Sequence, residues 1–327
     1  MLGGGSRQAA GRLLTAGRYA VRAVFSAGAV DFATTSQEAT KGPFKKTIQE
    51  QATADVGEKQ RPKKGLSIYS SQCGFAKNMR GGASQVLVKD VYGEDACFSI
   101  MANGTYVVGV ADGVGGWSLR GVDPSLYSTR LMRECKKIAH SGDFDPTKPV
   151  TILEKAYKTM DNERPRVDGS STACLLTLHE DRLYSANLGD SGFIVVRGGE
   201  LFYQSKEQLH YFNAPYQLSS APDGGGFLKD LPTRADEYDT ELMPGDIILL
   251  ATDGLWDNVP LATIIKELEV LKSAEKLDSA CNAIALTARK LATDTRPSPF
   301  ALKALVHGLS FEGGKPDDIT VICLLIV

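Results

Sequence analysis

Carboxylates recur in this chain at the ends of its apolar segments. Asp112 ends the run TYVVGVAD, and Asp253 directly follows the run DIILLAT. Each is followed by glycine, and Asp-Gly is a common turn pair, so either aspartate alone is ordinary turn chemistry. Several such acids are a stronger signal, because strands of one sheet end along shared edges and could bring their carboxylates together. These acids therefore form one candidate site.

Further acids lie beside other predicted strands: Glu94, Asp95, Asp190, Asp257, Asp317 and Asp318. The segments VADGVGG and LLATDGLWDN contain no lysine or arginine, and Lys315 precedes the last pair of acids. Carboxylates that converge without cations repel one another strongly unless a metal neutralises them. All-oxygen ligands favour Mg²⁺ or Mn²⁺ over zinc. The acids therefore predict a divalent-cation site with few cationic side chains nearby.

The glycines after Asp112 offer a second interpretation, a loop that cradles a phosphate. A Walker loop needs GxxxxGK[ST], and no lysine follows here. A dinucleotide fingerprint needs GxGxxG at the start of a helix, and GVGGWSLRG fits it poorly. We favour the metal site, with a phosphate cradle and a plain strand-ending turn still open at this point.

Composition excludes several other classes of protein. The chain has 327 residues, 43 % of them apolar, which is enough for a sizeable core, and its formal charge of −2 predicts no nucleic-acid partner. The four histidines form no HExxH motif and the six cysteines no CxxC, so neither zinc nor a redox dithiol is indicated. The longest apolar runs are about half the length of a membrane helix, so no membrane span is expected.

The N-terminal region differs from the rest of the chain. Before the first acid, Asp31, come four arginines separated by Ala, Leu, Gly and Ser: Arg7, Arg12, Arg18 and Arg22. This composition predicts a mitochondrial transit peptide over residues 1–35, with a disordered basic tail as the alternative. Residues 36–65 are predicted to be a polar linker. One domain is expected over residues 66–327.

Short β-branched segments bounded by Gly or Asp predict the strands of this domain: TYVVGVA, TACLLTL, LYSANLG, FIVVRGG, DIILLAT and ITVICLLIV. The segment FIVVRGGELFY predicts a hairpin that turns at Gly198-Gly199. A polar, glycine-rich stretch over 204–240 predicts a long loop or flap.

Capping signals predict the helices. One runs from Asp123-Pro124 to Gly142, and a second carries Leu153 to Met160. Later helices are predicted around 264–271, over 277–291, and after Ser298-Pro299. Meandering strands with grouped helices favour an α+β sandwich over a doubly wound parallel sheet.

Five segments, in this order, resemble the motifs of the metal-dependent protein phosphatases, the type 2C Ser/Thr phosphatases: VADGVGGW, DGSSTACLLTL, SANLGDSG, LLATDGLWDNV and KPDDITV. The resemblance covers about residues 67–327, and the form GEDA with the arginine-rich leader is most similar to the mitochondrial branch. It implies an α+β fold with a central β-sandwich of two antiparallel sheets flanked by pairs of antiparallel helices. It also implies two Mn²⁺ or Mg²⁺ ions and a weaker third.

The resemblance implies a role for each residue at the centre of the site. Asp112 matches the acid that bridges both ions, and Gly113 matches a residue whose backbone carbonyl reaches a metal. Asp253 and Asp317 match direct ligands of the other ion. Asp112, Asp253 and Asp317 are thus the expected catalytic residues.

Four more acids match outer positions. Glu94 and Asp95 match residues that act mostly through metal-bound water. Asp190 and Asp257 match contributors to the weaker third metal site. Together with the central residues they complete the expected ligand set.

The implied activity is hydrolysis of phosphoserine and phosphothreonine by a water that bridges the two metals. The expected partners are phosphorylated proteins of the mitochondrial matrix, ubiquinone-biosynthesis proteins among the candidates, and the expected oligomeric state is a monomer. A catalytically weak phosphoprotein-binding scaffold with the same fold is the first alternative. A structural cation-binding protein is the second, although no EF-hand loop supports it.

The chain departs from the family pattern at two positions. Val114 stands where many members have a histidine that could protonate the leaving group. Asp90 stands where many have an arginine that grips the substrate phosphate, and Lys89, the neighbouring cation, would point to the opposite strand face. These two positions leave the proton donor and the phosphate-binding cation unassigned.

Overall fold

The computed structural model describes residues 66–77, 91–221, 227–271 and 273–327, all of which belong to one compact unit. The predicted transit peptide, the predicted linker, Lys89 and Asp90 lie outside the described residues.

Two five-stranded antiparallel sheets form the centre of this unit. The first sheet has the order β1 (Ile68–Phe75), β14 (Ile319–Ile326), β13 (Ile247–Ala251), β7 (Gly192–Arg197) and β8 (Glu200–Gln204). The second has the order β12 (Asp236–Glu241), β6 (Arg182–Leu188), β5 (Ala173–His179), β3 (Thr105–Asp112) and β2 (Asp95–Ala102). The predicted sandwich of two antiparallel sheets is confirmed.

Strand β14 shows why this sequence forms a central, doubly covered strand. Its side chains alternate between the two faces of the sheet because successive residues of a strand point in opposite directions. Val321 and Cys323 pack against helices, whereas Ile322 and Leu324 pack against the second sheet. Both faces are therefore buried, which accounts for the uninterrupted apolar run ITVICLLIV.

Helices cover the outer face of each sheet, as expected. Helices α1 (Ser125–Ser141) and α2 (Val150–Asn162) pack on the second sheet. Helix α3 (Asp253–Trp256) begins directly after β13, and α4 (Leu261–Glu269) and α5 (Leu277–Leu291) pack on the first sheet. Helix α6 (Pro299–Val306) precedes β14 in the chain. No helix among the described residues combines the length and the apolar character needed to cross a membrane.

The prediction of an irregular stretch over 204–240 is wrong in part. It contains a small hairpin, β9 (Leu209–Tyr211) and β10 (Ala214–Pro215), and β11 (Leu218–Ser219), which pairs with β4 (Ser170–Ser171). It also contains most of β12, an edge strand whose sequence DEYDTE shows no apolar alternation because much of it faces solvent. The described residues between β8 and β12, 205–221 and 227–235, are called the flap below.

Candidate metal centre

The ends of four strands bring the predicted acids to one end of the sandwich. Asp112 closes β3 and lies opposite Asp95, the first residue of β2, in the antiparallel register. Asp253 follows β13, and Asp317 precedes β14, its neighbour in the first sheet. Asp190 lies in the turn that joins β6 of one sheet to β7 of the other. The acids therefore converge from both sheets.

The other acids of the cluster interact electrostatically with Asp112. Burial raises the pKa of the Asp112 carboxyl well above its usual range. Neighbouring carboxylates raise this pKa further, in decreasing order those of Asp253, Asp95, Asp317 and Asp190. Burial is also the main cause of the raised pKa of Asp95 and of Asp190. A raised pKa marks a carboxylate whose negative charge is not fully compensated.

Asp95 is held by hydroxyl groups of the other sheet. Its Oδ2 accepts hydrogen bonds of 2.8 Å from Thr252 Oγ1 and of 2.8 Å from Thr320 Oγ1. The backbone N–H of Thr320 in turn donates to Thr252 Oγ1 at 3.1 Å. Asp95 Oδ1 stays free of hydrogen bonds although it is buried. The Asp95 carboxylate thus joins the two sheets through Oδ2, and its Oδ1 stays available to a further ligand.

Gly113 lies where two backbone segments come close together. Its N–H donates to the carbonyl of Glu94 at 3.1 Å, and Ser128 Oγ donates to the same carbonyl at 2.5 Å. A Cβ at position 113 would lie 2.6 Å from the carbonyl oxygens of both Glu94 and Pro124. Glycine is needed here for close packing, because both obstructing atoms belong to backbone.

Gly113→Ala is expected to destabilise the metal-free protein by about 1–3 kcal/mol, the usual cost of overpacking. Thermal unfolding in the presence of a chelator measures this change. Gly116→Ala is the matched control, since a Cβ there meets nothing within 4 Å. Equal melting temperatures for the two variants would contradict the packing argument.

Asp318 organises the backbone around the candidate ligands. Its two oxygens accept the N–H groups of Lys77 at 2.7 Å and of Glu94 at 2.9 Å. Gly93 has a φ of 63°, and a Cβ there would lie 2.0 Å from Asp318 Oδ1. Asp318 therefore positions Glu94, whereas its neighbour Asp317 turns toward the lysines.

The prediction that few cations lie near the acids is wrong. Lys315 Nζ lies 2.5 Å from Asp253 Oδ2, 2.7 Å from Asp257 Oδ2 and 3.4 Å from Asp317 Oδ2. Burial alone would lower the pKa of Lys315, but the carboxylates around it raise that pKa well above its usual range. Counting charges within single segments missed this pairing because the partners are far apart in the chain.

Lys77, just beyond the end of β1, is the second cation of the cluster. Its Nζ lies 2.7 Å from Glu94 Oε2 and 3.2 Å from Asp317 Oδ1. Burial alone would raise the pKa of Asp317, but Lys315 and Lys77 together hold it below its usual range. The sequence contained no signal for Lys77, since 17 residues separate it from Glu94.

Asp257 and Asp190 lie at the side of the cluster that faces the flap. Asp257 caps the C-terminus of α3, and its Oδ1 lies 3.3 Å from the Nζ of Lys303 in α6. Asp190 is near Glu207 of the flap, whose carboxylate contributes to the raised pKa of Asp190. Both residues predicted for a third metal site therefore lie beside the cluster, and Asp257 is already paired with two lysines.

Buried oxygens test whether these residues fit a divalent cation. The Oδ1 atoms of Asp95, Asp190 and Asp253 are buried and have no hydrogen-bond partner. Such atoms are costly unless a donor or a cation meets them. Within the described ranges no three acidic, His or Cys side chains already surround one point at coordinating distance. Carboxylate oxygens are ligands that suit a hard divalent cation, so the donor set fits Mn²⁺ or Mg²⁺. Lys315 now contacts several of these oxygens and has to release them before a cation can bind.

The flap is fastened to the loop that follows Gly113. Trp117 Nε1 donates to Ser170 Oγ at 2.7 Å, and Ser170 Oγ donates to Gln217 Oε1 of the flap at 2.6 Å. The ring of Phe227 stacks on Trp117 with centroids 4.5 Å apart, and the Arg120 guanidinium lies 4.4 Å from the Phe227 centroid. The flap therefore lies beside the candidate ligands.

Comparison with known proteins identifies relatives over most of the chain. A family model described as Stage II sporulation protein E (SpoIIE) matches residues 102–326. The protein phosphatase PTC7 homolog of Xenopus laevis is 46 % identical over 278 residues, which cover 83 % of this chain and 93 % of that protein.

Solved structures have the same fold. The X-ray structure of the photosystem II phosphatase PBCP matches with a TM-score of 0.66 and 29 % identity, covering 80 % of this chain and 99 % of that chain. The catalytic domain of the serine/threonine protein phosphatase PstP, in complex with 2 manganese ions, has a TM-score of 0.54 and 16 % identity, with 80 % and 99 % covered. At that identity the likeness to PstP concerns the fold alone. The chain belongs to the PP2C family of protein phosphatases.

Proposed function

We propose that this protein is a Mn²⁺- or Mg²⁺-dependent protein serine/threonine phosphatase of the mitochondrial matrix. The observation that carries the metal dependence is the set of buried, unpartnered oxygens of Asp95, Asp190 and Asp253 at one end of the sandwich. The fold shared with PstP, whose structure contains 2 manganese ions, supports the same proposal.

The residues that would hold the two central ions are Asp112, the carbonyl of Gly113, Asp253 and Asp317. Glu94 and Asp95 would support them from the second sheet, and Asp190 and Asp257 would form the weaker third site. When bound, a pair of divalent cations supplies an activated water and neutralises the phosphoryl oxygens. The protein contributes the fixed positions of the acids, through the strand ends and through the Thr252 and Thr320 hydroxyls.

Lys77 is the candidate for the cation that binds the substrate phosphate. Its ammonium group lies among Glu94, Asp317 and Asp318, and its side chain is 25 % exposed, so a phosphate entering from solvent can reach it. Lys77 would therefore fill the role that Asp90 cannot. Lysine offers a compact positive charge and lacks the two-pronged hydrogen-bonding geometry of arginine, so it suits a phosphate that other groups hold in position.

Lys77→Met is expected to lower kcat/KM for a phosphothreonine peptide about 10- to 100-fold, the effect of losing one hydrogen bond between charged groups. Lys77→Arg keeps the charge and is expected to retain most of the activity. Steady-state kinetics of the three proteins measure this difference. If the methionine variant matched wild type, Lys77 would have no part in phosphate binding.

Val114 cannot donate a proton to the leaving-group oxygen, the role that the resemblance assigns to a histidine at this position. Val114 is half-buried, and its N–H donates to the carbonyl of Ser170 at 3.0 Å, so it serves to fix the loop. Lys77 and Lys315, the two lysines of the acidic cluster, are poor acids, because the carboxylates around them raise their pKa values. Water is therefore the candidate proton source for the departing serine or threonine.

Phosphate release from a phosphothreonine peptide tests the proposal directly. We expect hydrolysis with Mn²⁺ or Mg²⁺ and none after chelation. Tight binding of the peptide without hydrolysis, under all metal conditions, would instead favour a phosphoprotein-binding scaffold with this fold. Hydrolysis that survives thorough chelation would contradict the metal dependence alone.

The mitochondrial location rests on the arginine-rich composition of residues 1–35. We expect this segment, fused to a fluorescent protein, to direct the fusion to mitochondria. Replacement of Arg7, Arg12, Arg18 and Arg22 by glutamine should leave the fusion in the cytosol. Mitochondrial import of the glutamine variant would contradict this prediction. Phosphorylated matrix proteins, ubiquinone-biosynthesis proteins among them, are the corresponding substrate candidates.

A further inference from the structure

A stack of three side chains lies beside the candidate metal centre. It is built on a 3₁₀ helix (Gly115–Arg120) that begins two residues after Gly113. Trp117 is 6 % exposed, and its ring stacks on that of Phe227 of the flap with an angle of 1° between the two planes. The Arg120 guanidinium lies 4.4 Å from the centroid of the same Phe227 ring, within the range of a cation–π interaction. The stack thus fixes an exposed arginine at the edge of the site.

Hydrogen bonds anchor the base of this stack. Trp117 donates to Ser170, which in turn donates to Gln217 of the flap, so the indole ring is held by buried groups. An arginine whose flat face rests on an aromatic ring keeps the N–H groups at its edge free, and these can bind a carboxylate through two hydrogen bonds. The position of the Arg120 guanidinium is therefore set before any ligand arrives.

Arg120 forms no ion pair with an acid in the part of the chain that the structure describes. The next acid in the sequence, Asp123, uses Oδ1 to accept the N–H of Ser125 at 2.9 Å and the hydroxyl of the same serine at 2.7 Å. Lys229, two residues after Phe227, is a second exposed cation, and it too has no ion pair with a described acid. The surface around the stack therefore carries positive charge that is left for a ligand to neutralise.

Two glycines separate this stack from Lys77, the candidate for binding the substrate phosphate. A Cβ at Gly115 would lie 3.1 Å from Glu94 Oε2 and 3.9 Å from Lys77 Nζ, so Gly115 lies directly beside these two groups. A Cβ at Gly116 would meet nothing within 4 Å, and both glycines are exposed. Backbone without side chains thus connects Lys77 to the stack, and a peptide whose phosphate reaches Lys77 can lie closely along it. The side chain at the far end of this path is Arg120.

We propose that Arg120 binds the carboxylate of an aspartate or glutamate near the phosphoserine or phosphothreonine of a protein substrate. This rests on the proposed phosphatase function, with the phosphate at Lys77 and the metal centre. A 3₁₀ helix rises about 2.0 Å per residue, so Gly115 and Arg120 lie about 10 Å apart along its axis. An extended peptide covers that distance in about three residues. The substrate class is thus a phosphosite with an acidic residue about three positions away.

Two pairs of phosphothreonine peptides test this proposal. One pair carries glutamate or glutamine at the third residue before the phosphothreonine, and the other pair carries them at the third residue after it. For the wild-type protein with Mn²⁺ we expect kcat/KM to be about fivefold higher for the glutamate peptide of one pair, the upper value for an exposed ion pair. The gain should come from a lower KM, because the contact forms before the chemical step. It should shrink from about 50 mM to about 500 mM NaCl, because salt screens exposed charges.

Two substitutions of Arg120 assign the preference to this residue. In Arg120→Gln the ratio of kcat/KM for the glutamate and glutamine peptides should fall to near one. Arg120→Glu should reverse the preference, so that a peptide with lysine at the same position is hydrolysed better than the glutamate peptide. Each ratio compares two peptides on one protein preparation, so the amount of active protein cancels. A new preference for lysine is also a result that a misfolded variant cannot give.

Arg182→Gln is the matched control, since the Arg182 side chain is 43 % exposed and also lies near an aromatic ring, that of Tyr184 at 6.0 Å. Arg182 begins β6, whereas Asp190 follows the other end of this strand, so the peptide ratios should stay at their wild-type values. Equal hydrolysis of the glutamate and glutamine peptides of both pairs by the wild type overturns the proposal and leaves the phosphatase function intact. A glutamate preference that persists in Arg120→Gln does the same. No hydrolysis of any peptide with Mn²⁺ overturns the function itself.

Discussion

Asp253→Asn is expected to lower phosphatase activity about 10³-fold, of the order seen when one electrostatic group of an active site is removed. Asp253 contributes a buried oxygen without a hydrogen-bond partner, Oδ1, and a second oxygen 2.5 Å from Lys315. Asparagine keeps the shape but loses the charge that would bind a divalent cation. Phosphate release from a phosphothreonine peptide at saturating Mn²⁺ measures the loss.

The same variant should make the metal-free fold more stable. Burial raises the pKa of Asp253; Lys315 opposes this increase, and the net value is about 6 against an ordinary 3.8. The folded state therefore holds the proton more tightly than the unfolded chain, and the free energy of unfolding falls as pH rises from 3.8 to 6. Asparagine avoids this loss of about 3 kcal/mol, because it has no proton to release.

Urea unfolding in a chelator at several pH values checks the sign of this effect. The advantage of Asp253→Asn should be near zero once the pH is below 3.8, the lower of the two pKa values, should grow as the pH rises, and should be complete above pH 6. Asp239→Asn is the matched control, since Asp239 lies on the edge strand β12 and pairs with Arg182 at the surface. It should change neither activity nor the pH profile. An Asp253→Asn protein less stable than wild type at pH 8 would contradict the argument.

Removal of divalent cations is expected to stop catalysis without unfolding the protein. Lys315 and Lys77 remain among the carboxylates and neutralise part of their charge. Lys315→Met removes this compensation and leaves Asp253, Asp257 and Asp317 without their shared partner. In the presence of a chelator, Lys315→Met is expected to lower the free energy of unfolding by about 3–5 kcal/mol, the usual effect of removing one partner of a buried ion pair.

Mn²⁺ should restore the stability of Lys315→Met, because a bound cation then replaces the ammonium group. A ligand at 100 times its Kd adds about 2.7 kcal/mol, and the variant should reach this gain at lower Mn²⁺ than wild type because no lysine competes. Thermal unfolding across a Mn²⁺ titration gives both quantities. Lys137→Met, which removes a lysine that is 60 % exposed, is the control and should cost at most about 1 kcal/mol. Equal Mn²⁺ requirements for Lys315→Met and wild type would show that the lysine and the cation do not compete.

Local patterns predicted much of this fold. The helix start at Asp123-Pro124 and its end at Gly142 match α1, whose C-cap Gly142 has a φ of 73°. The hairpin turning at Gly198-Gly199 matches β7 and β8. These features depend on residues next to each other in the chain, where capping and turn preferences act.

Features that depend on distant partners were missed. Strand β12 has little apolar alternation, and its place is set by pairing with β6. The convergence of the acids could be predicted because they lie at the ends of predicted strands. The pairing of Lys315 and Lys77 with these acids could not, because it depends on contacts across the fold. The unpartnered oxygens are also invisible in sequence, because burial of a single atom is a property of the packed structure.

The hydrogen bonds to Asp95 set a condition on when this site can exist. Asp95 and Thr320 are 225 residues apart and belong to different sheets, and Asp317 immediately precedes β14, which lies between β1 and β13. A nascent chain that has not yet added β14 therefore lacks a central strand of the first sheet. It also lacks Asp317, one of the candidate metal ligands, at its place beside the other acids. In the proposed phosphatase, metal capture is therefore tied to completion of the fold, because Asp317 takes its place beside the other acids when β14 joins the sheet.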